Sequence, residues 1–181
     1  MIGLLLSLSS LVTQQPDSTA ARVYAAVLDS FFVHPGTQRL LVRPRTVTGV
    51  RHIDDADYAS GLAGLGQLPA GLQADFQSHR LEHNPIPPIP TRVPTIIFDD
   101  SMAAGLPRTD PDAFWAAFER RFPGTNGIIA LSPVGFSADR RAAMVMVDFG
   151  CGGLCGGTVY YLLQLRNRRW VVIRSVQVRV S

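Results

Sequence analysis

Apolar residues recur at helical spacing through much of the first two thirds of this chain. After Phe122 they run in β-forming blocks. Val23, Val27 and Phe31 stand at steps of four, with Tyr24 and Leu28 beside them. That stripe predicts an amphipathic helix, opened by the N-cap signal Asp17-Ser18 and stopped at His34-Pro35-Gly36. Arg39 to Arg43 predicts a short strand halted by Pro44, with Thr46-Val47-Thr48 as an edge continuation. Asp54 to Tyr58 opens a weak, Gly-interrupted segment, and Leu68-Pro69 starts a better helix reaching about Glu82. His83-Asn84-Pro85-Ile86-Pro87-Pro88-Ile89-Pro90 fits neither a helix nor a central strand, and reads as an extended polyproline II spacer. Thr95 to Phe98 predicts a strand. Asp112 to Arg121 predicts a helix capped by Thr109 or Asp110, with Phe114, Trp115 and Phe118 on one face.

Four β runs follow: Gly127–Ser132, Arg141–Phe149, Thr158–Arg166 and Trp170–Val180, which together predict a meander. With Asn167-Arg168 as a two-residue turn, Leu165 faces Trp170, Leu163 faces Val172, Tyr161 faces Arg174 and Val159 faces Val176. One face is then apolar except for Arg174. The other is mixed and predicts partial cover by a helix or a partner.

A length of 181 residues suits one domain with a sizeable core. The net charge of +3 is too modest to argue for nucleic acid. All 17 basic residues counted as Lys+Arg are arginine. A chain without lysine forms no Schiff base, no Walker-type phosphate loop and no Ser-x-x-Lys acyl-enzyme. No Gly-x-Ser-x-Gly elbow occurs. At the N-terminus, Ile2 to Val12 has the length of a signal-peptide apolar region and is too short to span a bilayer, which takes about 20 residues. Residues 1–16 therefore predict export to the periplasm or beyond.

The Gly-flanked pair Cys151 and Cys155 predicts a disulfide in the loop between two strands, because glycine lets the loop curl and bring the Cα atoms within reach. Free structural thiols are the second reading, and metal or redox chemistry a minor one. His79-Arg80-Leu81-Glu82-His83 matches the His-x-x-Glu-His zinc pattern, so a zinc-dependent hydrolase using His79 and His83 is an alternative. Against it, the second histidine falls where Asn84-Pro85 ends the helix, and the plainer reading is an exposed helix end. Asp54-Asp55-x-Asp57 and Asp99-Asp100 read as helix-start or turn acids. Arg174, opposite Tyr161 on an apolar face, is either a snorkelling or ion-paired arginine or an anion-binding residue in a cavity.

The run Phe122-Pro123-Gly124-x-x-Gly127-Ile128-Ile129, followed by Leu131-Ser132-x-Val134-Gly135-Phe136-x-x-Asp139, Cys151-Gly152-Gly153-Leu154-Cys155-Gly156, Tyr160-Tyr161-Leu162-Leu163 and Trp170, resembles a group of uncharacterised bacterial proteins that often carry signal peptides. The likeness extends over most of the chain after about Ala20 and departs at Arg179, where an aromatic residue usually stands. It implies export and no particular activity.

Together these readings predict residues 17–181 as one α+β domain, a curved antiparallel sheet packed on an N-terminal helix. A cone-like cavity of the cystatin sort is an analogy. The function expected is an exported, non-catalytic module binding a small ligand or protein through Arg174 and Tyr161. No cofactor, nucleic acid or membrane span is expected. A structural subunit, such as a homodimer pairing through the mixed sheet face, is the third reading.

Overall fold

The computed structural model describes residues 18–47 and 55–180. The signal-like segment 1–16, the capping Asp17, the strand residue Thr48 and Asp54 of the acidic cluster lie outside the described residues. The fold is α+β, with five helices among the described residues packed on an open sheet of seven described strands. No helix among the described residues is long and apolar enough to cross a membrane.

Helix α1 (Ser18–Phe31) forms as its stripe predicts: Val23, Tyr24, Val27 and Leu28 are all buried. A helix this short owes most of its stability to that burial. It packs on one sheet face, in a cluster with Leu40, Ile129, Val145, Tyr161 and Leu163. Strand β1 (Leu40–Val42) is buried throughout, with Leu40 and Val42 toward α1 and Leu41 in a separate cluster with Phe98 and Phe118. A strand covered on both faces reads as an unbroken apolar run.

The remaining strands are β2 (Thr95–Ile97), β3 (Ile128–Leu131), β4 (Gly135–Phe136), β5 (Ala142–Gly152), β6 (Cys155–Arg166) and β7 (Arg169–Val180), in spatial order β2-β1-β3-β5-β6-β7, with β4 paired to β5. The meander from β3 through β5 and β6 to β7 is antiparallel. One correction applies at the other edge: β1 pairs in parallel with both β2 and β3. Parallel neighbours need long crossovers. The chain between β1 and β2 supplies one with α2 (Asp55–Leu65) and α3 (Leu72–His79). Between β2 and β3 come α4 (Asp100–Ala103) and α5 (Pro111–Arg121).

The mixed face of the last two strands is covered by the chain itself. Leu62, Leu65, Leu72 and Phe76 of α2 and α3 pack on Met144, Met146, Tyr160 and Leu162. The Gly-interrupted segment is thus a true helix, and its glycine has a packing reason. A Cβ on Gly64 would stand 2.7 Å from Val176, closer than carbon atoms pack. Asp99 and Asp110 cap α4 and α5 through their carboxylates, each accepting two backbone N–H bonds. The proline-rich segment is no free spacer. Ile86 and Ile89 are buried in the α1-side cluster, and the Ile86 N–H donates to Pro44 O. Helix α3 ends at His79, short of the expected Glu82.

The β6–β7 register departs from expectation at two bulges. Leu165↔Trp170 and Leu163↔Val172 pair as predicted, but Leu162 then faces Arg174, Tyr161 faces Ser175, and Val159 faces Gln177. One extra residue turns everything beyond it to the opposite face. Arg174, Val176 and Val178 therefore join the α2 side, where the two valines pack in the second cluster. The Arg174 guanidinium donates to Leu65 O at the end of α2, satisfying a carbonyl that the helix leaves open.

Candidate functional site

The α1-side sheet face, the C-terminal end of α1, α5 and the β5–β6 hairpin converge on a cleft of about 500 Å³. That volume falls in the range of small-molecule sites. Its walls carry Phe31, Phe32, Phe149 and Tyr161. Phe31 and Tyr161 lie with ring centroids 4.8 Å apart, and Phe32 and Phe149 meet edge to face at 5.4 Å. Phe31 is 39% exposed, although it extends the stripe whose other members are buried.

Tyr161 is the polar centre of the cleft. Strand alternation turns it toward α1, and burial pushes its hydroxyl up to about 12. It is therefore neutral at physiological pH and serves as a hydrogen-bonding group, with no protein partner among the described residues. Asn126 is held by two bonds from its Nδ2, to Phe32 O at 2.8 Å and to Thr37 Oγ1 at 2.7 Å, which ties the end of α1 to the start of β3. Its Oδ1 is left over as an acceptor. Thr125, Glu119, His34 and Gln177 add to the polar lining, the last three exposed.

The cysteine pair closes one end. Cys151 and Cys155 form a disulfide with Cα atoms 5.0 Å apart, within the span a disulfide requires. Both belong to strands, because β5 and β6 extend to a tip of Gly153-Leu154, and Cys151 is the extra residue at a register break. Gly127 makes the approach possible. Its φ is +92°, and a Cβ there would stand 2.1 Å from Gly150 O.

The expected pairing of Arg174 with Tyr161 does not form. The first bulge puts them on opposite faces, so Tyr161 lines the cleft without the arginine, and no anion-binding role remains for Arg174 there. The zinc pattern is not assembled either. His79 Nδ1 bonds Glu82 Oε1 at 2.8 Å, and that carboxylate holds the imidazole above its ordinary range. His83, outside the helix, bonds Thr46 O at 3.2 Å instead. Among the described residues no group of three or more His, Cys, Asp and Glu is placed to hold a metal ion.

Sequence reasoning reached Tyr161 and the cysteines but missed Phe31 and Phe32 as site residues, along with Asn126, Phe149 and Gln177. For Phe31 the apolar stripe argued only for core. Gln177 reaches the cleft side only through the first bulge, which no local pattern announced. No protein-family model matches the chain, and neither a curated protein nor a solved structure matches it.

Proposed function

We propose that this chain is an exported, non-catalytic binding module whose small-molecule site is the aromatic cleft at the disulfide end of the sheet. The observation that carries the reading is a half-open ring, Phe31, beside a Tyr161 hydroxyl without a partner among the described residues, in a concave site. An apolar surface left in water and a polar group without a partner are both relieved by a ligand with an apolar body and a hydrogen-bonding end. The neutral phenol supports recognition, since a hydroxyl raised to about 12 is a poor base at neutral pH. The disulfide supports an oxidising compartment.

A fragment screen by protein NMR tests the proposal. Bound fragments are expected to shift the resonances of Phe31, Tyr161 and Gln177. Tyr161→Phe is expected to weaken fragments with a hydrogen-bonding end by about two- to tenfold, the range of one neutral hydrogen bond. Hits that scatter over the surface and leave those three residues unmoved refute it.

A further inference from the structure

We infer that the ligand of this cleft is an organic cation with an apolar body, of the arylalkylammonium class. The inference rests on the cleft being a ligand site and concerns the sign of charge it selects.

Three observations converge. The chain carries 17 arginines, yet among the described residues none lines the cleft, and the only carboxylate that does is Glu119. Acceptors are in surplus: both bonds of Asn126 use its Nδ2, leaving Oδ1, and the Tyr161 oxygen has no partner among the described residues. Finally, five aromatic rings among the described residues line the cleft, Phe118 included, and ring π-faces attract cations. Among the described residues, the one side chain in the lining able to carry positive charge is His34, exposed at the rim.

Three probes of one shape separate the possibilities. They are 2-phenylethylamine, protonated at pH 8, the neutral 2-phenylethanol, and the anionic phenylacetate, each titrated into the oxidised protein and followed by NMR. The amine is expected to bind at least fivefold more tightly than the alcohol, and phenylacetate more weakly than either. Glu119→Gln should reduce the preference for the amine by about two- to threefold, and Glu119→Arg should abolish it, as befits an exposed charge. Both changes fall on the exposed side of α5, and binding of the alcohol should persist in both. Equal binding of amine and alcohol, or a preference for phenylacetate, overturns the assignment of charge while leaving the cleft as a ligand site. Absence of any shift at Phe31, Tyr161 and Gln177 with all three probes overturns both.

Discussion

Replacing Arg174 by methionine tests the bulged register directly. Methionine keeps a flexible apolar stem and removes the guanidinium that donates to Leu65 O at the end of α2. A hydrogen bond from a charged donor contributes about 1.5–3 kcal/mol, and a cation at a helix C-terminus about 0.3–1 kcal/mol. Arg174 is exposed, so water can reach the vacated carbonyl, and most of that sum is screened. A net loss of about 1 kcal/mol is expected. With a urea m-value of about 2 kcal/mol/M, the unfolding midpoint should fall by about 0.5 M with m unchanged. Arg174→Lys should recover part of the loss, since an ammonium can donate to the same carbonyl. Fragment binding and the high-pH titration of Tyr161, near 12, should be the same in wild type and Arg174→Met. In the unbulged register Arg174 would sit opposite Tyr161. An unchanged midpoint together with an altered Tyr161 titration would therefore refute the placement of Arg174 against α2.

Other expectations follow from single contacts. The Cys151→Ser/Cys155→Ser double variant should lose about 2 kcal/mol, the chain-entropy value for so small a ring, and about 4–8 °C in Tm for a domain of this size. Reductant should lower the Tm of the wild type by a similar amount and leave the variant unaffected. Burial raises the Asp148 carboxyl above its ordinary range, with Thr158 and Arg179 opposing. The folded state therefore favours the protonated acid: stability from this group is full below the unfolded-state value of about 3.9 and is lost as pH rises through the folded value. Asp148→Asn, which can still accept from Thr158 Oγ1, should raise the Tm at pH 7, and the gain should shrink below pH 4. Gly127→Ala combines a positive φ with a clash against Gly150 O and should cost about 2–4 kcal/mol, read as a lower urea midpoint.

Much of the secondary structure was legible because its causes are local. The four-residue spacing of Val23, Val27 and Phe31, the carboxylate cap at Asp110 before Pro111, and the β-branched blocks after Gly127 each act within a few residues. The cysteine pair was legible for the same reason, since four residues and flanking glycines suffice to bring two Cα atoms together. The site was only partly readable. Tyr161 could be assigned its face from alternation within β6, where the strand is regular. Phe31 could not be distinguished from core, because a periodic stripe does not tell which of its members the sheet fails to cover.

What the amino-acid order determined by itself was the existence of α1, α5 and the antiparallel meander, together with the chemistries a lysine-free chain forgoes. The tertiary structure alone decided the parallel edge, the burial of Ile86 and Ile89, and above all the direction in which Arg174 points. Strand pairing is a contest between whole faces. Setting Val176 and Val178 against α2 at the expense of two bulges depends on a helix more than a hundred residues away in sequence. A side-chain period of two cannot register that distant partner, so the arginine that alternation set opposite Tyr161 caps a helix on the other side of the sheet.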